Sequence, residues 1–179
     1  MVDPITARRI SYWGLFVLIW LVILLIRVLP VDISAGGWPG PNWTILLAFS
    51  WVLRRPNFVP VLLIAIVLLI EDMIFMRPPG LASGLGLIGL EFLRGRAQFS
   101  RELPFMFEWG MVATTIFGLM VLHRLLLSIF VITQPSLALD IIYFVITIAT
   151  YPLIVMISSR LLGVRQAAPG EVDQFGHPI

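Results

Sequence analysis

The sequence predicts an all-α fold, a polytopic membrane bundle of six transmembrane helices, and three observations carry that prediction. Hydrophobic residues make up 59% of the 179-residue chain and charged residues only 12%, against roughly 25% charged in an average soluble domain. Mean hydropathy is +1.00, more apolar surface than a soluble core of this length could bury, so lipid is the natural solvent. The apolar residues also fall into six runs, separated by proline, glycine and arginine.

The first run, Tyr12–Leu29, follows Arg8 and Arg9. It is longer than the apolar core of a signal peptide and no small-residue cleavage site follows it, so it reads as an uncleaved span. The linker "VLPVDISAGGWPGPN" holds three prolines and three glycines. Trp43–Leu53 and Leu81–Leu93 are short for spans. Eleven residues give about 17 Å of helix against a hydrocarbon core near 30 Å, and local thinning or an enclosed pocket would absorb the difference. Phe58–Met76 carries Pro60 in its first turn, where proline is tolerated. Leu103–Thr133 is long enough that its first turns, Leu103 to Glu108, are expected along the membrane interface. Leu137–Leu162 closes the set. Residues 1–165 then form one transmembrane domain, and the polar, aperiodic stretch 166–179 is expected to be a flexible cytoplasmic tail.

All twelve basic residues are arginine, and they are spread in ones and twos between the apolar runs. That pattern fits membrane orientation better than a nucleic-acid surface, despite a pI near 9.7. If all six runs span, nine arginines fall on the side of the N-terminus and three on the other. Both termini are then cytoplasmic and the Pro30–Asn42 linker is external, with Trp38 and Trp43 suited to an interfacial belt.

The stretch "LLIEDMIFMRPPG" places Glu71 and Asp72 side by side inside an apolar helix. An intramembrane carboxylate costs about 2.5–3.5 kcal/mol on insertion scales and seeks a partner or a cavity. Arg27, Arg124, Asp140 and His123 lie at similar depth. Adjacent helical positions point about 100° apart, so one carboxylate is expected to face the bundle and the other the external interface. An internal ion-pair network, a binding surface for another membrane protein, and a polar-ligand pocket or proton path all remain open. His123 does not make a metal site, because the only other histidine, His177, is in the tail. With no cysteine, disulfides and thiolate sites are excluded. In "GLASGLGLIGLEFL", Gly80, Gly84, Gly86 and Gly89 give a dense small-residue pattern that predicts a close helix contact within the chain. "GLGLIG" follows no strand and is no phosphate loop, and no nucleophile or metalloprotease motif is present. A non-enzymatic protein without a cofactor is expected.

The run "NWTILLAFSWVLRRPNFVPVLLIAIVLLIEDMIFMRPPGL" resembles the bacterial rod shape-determining MreD family. The matching residues are Arg54, Arg55 and Pro56, then Asp72, Met73 and Ile74, then Pro79, Gly80 and Leu81. "EFLRGRAQFSRELPFMFEW", "TYPLIVMISSRLLGVR" and "APGEVDQFG" are similar to the alphaproteobacterial branch, and together the matches cover most of the chain. Glu71 departs from the pattern, since many relatives carry an uncharged residue there.

The resemblance implies a multi-pass subunit of the bacterial inner membrane that serves cell elongation and peptidoglycan synthesis. It implies MreC as direct partner and, through MreC, contact with MreB, a glycan polymerase of the shape/elongation/division/sporulation family and a penicillin-binding transpeptidase. It also implies a fold similar to the six-helix substrate-binding subunit of energy-coupling-factor transporters. The alternative function, a small-ligand-binding or transport subunit, comes from that similarity. By position Asp72 matches the family's Asp. It is therefore expected to be the bundle-facing carboxylate, held by Arg124 or Arg27, and to organise the outer face used by MreC.

Overall fold

The computed structural model describes residues 4–29, 40–100, 103–131, 134, 136–160 and 162–164. Most of the Pro30–Asn42 linker with Trp38, the side chain of Arg8, Arg101, Arg165 and the tail with His177 lie outside the described residues. Among the described residues there are seven α-helices and no strand. They are α1 (Pro4–Val28), α2 (Trp43–Arg54), α3 (Val61–Ile74), α4 (Leu81–Arg94), α5 (Ala97–Ser100), α6 (Phe105–Ile129) and α7 (Leu137–Arg160), with a 3-10 turn at Pro56–Phe58. Three of them are long and apolar enough to cross a membrane, in α1, α6 and α7, and most residues of those stretches stay outside the protein core. This is a membrane protein's distribution, with apolar surface turned outward.

The helix ends follow from local chemistry. The Asn42 side chain accepts from the Ile45 amide at 3.3 Å and caps α2. Arg55 precedes a proline, which disfavours helical dihedrals, so α2 stops there and Pro56 opens the 3-10 turn. That turn, together with Pro60, delays α3 to Val61, three residues later than the apolar run begins. At the other end Met76 adopts φ 51°, and the two prolines and Gly80 carry the chain into α4. Phe130 ends α6, and Val131 leaves with φ 54°, costly for a β-branched residue.

α2 is the central element. Ten of its twelve residues are buried. It packs chiefly against α7 and α4, with α1 alongside. The sequence treated its shortness as a mismatch with the bilayer; placed inside the protein, α2 meets little lipid and the mismatch falls away. Around it the core gathers Phe16, Trp20, Leu46, Phe49, Trp51, Leu53, Tyr151 and Ile154. α4 buries Ser83, Gly86, Gly89, Leu90 and Leu93, one stripe of a 3.6-residue period.

Contacts at the helix ends show that α1, α2, α3, α4, α6 and α7 alternate in direction. At the proximal end, where α1 begins, Tyr12 stacks on Phe58 with ring centroids 4.0 Å apart. There the Trp51 indole donates to the Ser158 hydroxyl at 3.2 Å, and Arg94 donates to the carbonyls of Pro56 and Val59 at 2.9 and 2.5 Å. The distal end, where α1 finishes, holds the close of α3 and α6 and the start of α2, α4 and α7.

Pro152 sits inside α7 without breaking it. Proline cannot donate to the carbonyl four residues back. That carbonyl, on Ile148, instead accepts from the Trp109 indole on α6 at 3.0 Å.

Candidate functional site

The distal end of the bundle gathers the predicted site residues, but pairs them differently from the sequence expectation. Glu71 and Asp72 occupy the last turn of α3 and are both buried, each 2% exposed. Neither faces the external interface. Their 100° separation on the helix sends them to different neighbours inside the protein. Glu71 turns toward α1 and α2, where its carboxylate accepts from the Trp20 indole at 3.0 Å and from the Thr44 hydroxyl. Arg27 lies 3.5 Å from its second oxygen. Asp72 turns toward α4, where one oxygen accepts from the backbone N–H of Gly80 at 3.3 Å and of Ser83 at 3.1 Å.

Asp72 is therefore a helix cap supplied from the preceding helix. Gly80 stands at the N-cap position of α4 with φ 90° and has no side chain to do that work. The free N–H groups of the first turn and the positive end of the helix dipole attract a carboxylate, and Asp72 provides it. The expectation that an arginine holds Asp72 is corrected: Glu71 takes Arg27, and Arg124 pairs with Asp140 at the start of α7. α6 and α7 meet across the short connecting loop, which brings those two side chains to the same level.

The glycines divide as well. A Cβ built on Gly89 would stand 2.6 Å from Leu119 and 2.9 Å from Phe49, and one on Gly86 would stand 2.9 Å from Leu68. These two make the close contacts of α4 with α6, α2 and α3. Gly84 has nothing within 4 Å of that position and is not a packing residue. Gly80 also has open space around it; its role is the left-handed turn. Of the four glycines expected to pack, Gly86 and Gly89, three apart on the buried side, make the close contact, and Gly80 and Gly84 do not.

A cavity of about 370 Å³ opens beside these pairs, between the starts of α2, α4 and α7 and the distal half of α6. Its polar lining comes from Asn42, Arg77, His123, Asp140, Tyr143 and Thr147, and its apolar wall includes Ile116, Leu119 and Met120. His123 and Asp140 are thus brought to one space, with Arg77 at its edge, while Glu71 and Asp72 are not part of the lining.

At the proximal end lies a cluster that the sequence reading missed. Arg54 donates to both oxygens of Glu108, at 2.8 and 3.3 Å, with side-chain exposures of 6% and 2%. The Tyr151 hydroxyl donates to the same carboxylate at 2.5 Å, and Arg54 also reaches the Ser50 carbonyl at 3.0 Å. Glu108 was expected at the membrane interface and Arg54 among the cytoplasmic flank charges; both are instead buried between α2, α6 and α7. The available signal was positional: an arginine closing an uninterrupted apolar helix, and a glutamate in the first turn after Pro104 at the same level once the helices alternate.

Among the described residues no three potential metal ligands gather. Glu71, Asp72, Glu108 and Asp140 are each engaged by another element, which clamps helices together. Compared with known proteins, the chain matches no family model, no curated protein and no solved structure.

Proposed function

We propose that this chain is a six-span, multi-pass protein of the bacterial inner membrane and a non-enzymatic subunit of the cell-elongation machinery. It serves rod shape and peptidoglycan synthesis along the cell body. In this reading it belongs with the MreD proteins and works through MreC. MreB, a shape/elongation/division/sporulation-family glycan polymerase and a penicillin-binding transpeptidase are reached through MreC, and no nucleic acid is involved.

The observation that carries the reading is the use made of the buried charges. A transporter or proton path needs ionisable groups free to change partners, whereas here four carboxylates bridge separate elements and fix the helices against one another. The result is a rigid body suited to hold a partner. The sequence resemblance supplies the identity of that partner. The short α2 and α4, of 12 and 14 residues, support the likeness to energy-coupling-factor substrate-binding subunits. A second reading, a small-ligand-binding or transport subunit, is favoured by one observation, the mixed polar and apolar cavity.

The test is capture of MreC from detergent-solubilised membranes, together with restoration of rod shape in a strain depleted of its own protein. Success in both supports the scaffold reading; failure in both at matched protein levels overturns it. Orientation is checked separately. Among the described residues, Arg9, Arg54, Arg55, Arg94, Arg96 and Arg160 lie toward the proximal end, and Arg27, Arg77 and Arg124 toward the distal end. The positive-inside bias therefore puts the proximal end in the cytoplasm. Met76, 94% exposed in the distal α3–α4 turn, is expected to react as Met76→Cys with an impermeant maleimide in intact cells. Gln98→Cys, on exposed α5, is expected to react only after the membrane is opened.

A further inference from the structure

We propose that the distal cavity binds a compact amphipathic molecule with one negative charge, its anionic head at Arg77 and a hydrogen-bonding atom at the Thr147 hydroxyl. The inference goes beyond the scaffold reading and stands without it, because a rigid scaffold can carry an occupied pocket.

Thr147 provides the first argument. It is 1% exposed, lines the cavity, and its hydroxyl has no hydrogen-bond partner among the described residues. Its neighbours behave otherwise. Thr114, Thr115 and Thr150 each donate to a carbonyl three or four residues back on their own helix, at 3.0, 2.7 and 2.7 Å. That bond is the ordinary refuge of a helical threonine, and Thr147 does not take it. Buried polar atoms are nearly always paired, so a buried hydroxyl without a partner, on a residue of the cavity wall, marks where an occupant bonds after a small side-chain rotation.

Charge provides the second. Of the charged side chains in the lining, Asp140 is matched by Arg124. Arg77 lies 5.5 Å from the Phe75 ring and has no carboxylate partner among the described residues. Among the described residues the mouth thus holds an exposed guanidinium without a counter-charge, which favours an anionic oxygen. Between mouth and floor the surface is apolar. Asp140, Tyr143 and Thr147 lie three and four residues apart on one face of α7, a depth of roughly 10 Å, with Ile116, Leu119 and Met120 opposite. The volume of about 370 Å³ is near the lower end of the range for small-molecule sites, ~300–1,000 Å³. It admits a short-chain carboxylate or a lipid headgroup, not a whole diacyl lipid.

The experiment uses the full-length protein in nanodiscs of phosphatidylcholine alone, with decanoate as the probe and decanol as its uncharged control. Tryptophan fluorescence follows thermal unfolding. Decanoate is expected to raise the Tm saturably, and decanol is not. Arg77→Gln should raise the half-saturating concentration about tenfold, and Thr147→Val about three- to tenfold. Thr147→Val should melt at or above the wild-type temperature without probe, since it removes an unpartnered buried hydroxyl; weaker binding in a protein at least as stable separates ligand loss from misfolding. A parallel arm replaces decanoate with phosphatidylglycerol in the disc. If only this arm gives a rise that depends on Arg77 and Thr147, the anion is a lipid head and the proposal stands. It is overturned if neither arm gives such a rise, if decanol matches decanoate, or if wild type and both variants shift equally. The cavity then holds water alone. MreC capture is read independently, so failure of the scaffold reading leaves this test unaffected.

Discussion

The two ends of the bundle use the same chemistry to opposite effect. At the proximal end Arg54, Glu108 and Tyr151 close on one another between three helices, with almost no exposed side-chain surface. At the distal end the Arg124–Asp140 pair keeps about a fifth of each side chain exposed and borders a cavity. A bidentate pair in the buried interior has little freedom to rearrange, while a partly exposed pair shares its charge with whatever enters beside it. The difference teaches that an intramembrane ion pair is not a functional site by virtue of being there. The closed pair holds the fold, and the open pair has room beside it for something else.

The largest effect should come from breaking the closed end. Glu108→Ala strands the Arg54 guanidinium in the interior and is expected to destabilise by about 3–5 kcal/mol, read from unfolding in detergent. Arg54→Lys should recover little of an Arg54→Ala loss, because an ammonium cannot reproduce the two-point contact. The double replacement Arg54→Met with Glu108→Leu should be far milder than either single truncation; equal losses would show that the charge itself is required.

Glu71 comes next. Glu71→Ala removes the acceptor for Trp20, Thr44 and Arg27, so a loss of about 3 kcal/mol is expected. Asp72→Ala removes a helix cap, typically worth about 1 kcal/mol, and Asp72→Asn should retain part of it. If Asp72→Ala proves the more damaging, the carboxylate roles are the reverse of the geometry.

α4 marks the boundary between the two regimes. Gly89→Leu forces a side chain against Leu119 and Phe49 and should cost at least about 1–3 kcal/mol. Gly84→Leu meets open space and should leave the melting temperature near wild type. The smallest effect among the ion pairs is at the open one: Arg124→Ala is expected to cost below about 1 kcal/mol, because the cavity beside it lets water reach the carboxylate left behind. A larger loss there would mean that the distal end is as rigid as the proximal one.

Much of the fold was legible because apolar runs and proline–glycine breaks report helices directly. Three of the six segments start at Trp43, Leu81 and Leu137 as expected, two start within three residues, at Val61 and Phe105, and α1 starts at Pro4, eight residues ahead of Tyr12. The unpredicted α5 is only four residues long and carries no apolar run of its own. The site was legible in its membership and not in its pairing. Arg27, Glu71, His123, Arg124 and Asp140 do assemble at one end. Which carboxylate meets which arginine depends on helix rotation, and a rotation of 100° separates Glu71 from Asp72. The glycine contact was legible in part for the same reason: the small-residue pattern named Gly80, Gly84, Gly86 and Gly89, and only helix rotation decides that the packed face runs through the last two. Arg54 was obscured by Arg55 beside it, since two adjacent arginines before a proline look like a flank in either role. Thr147 gives no sequence signal, because any helical threonine can satisfy its own hydroxyl.

The Arg54–Glu108 clamp also bears on how the protein is made. The residues are 54 positions apart in the chain, so α2 leaves the ribosome long before its counter-charge exists. During that interval a twelve-residue helix ending in a bare guanidinium has no reason to settle deep in the lipid, and it is expected to wait at the headgroups. Asp72 and Gly80, only eight positions apart, can pair as soon as both are made, so in the six-span reading α3 and α4 are expected to insert as a self-capped hairpin in the meantime. Translation of α6 is then expected to deliver Glu108 and draw α2 inward, which would make the central element of the finished structure among the last to reach its place. Chains arrested before Phe105 should keep Trp51 within reach of a water-soluble quencher, and release of the full-length chain should hide it.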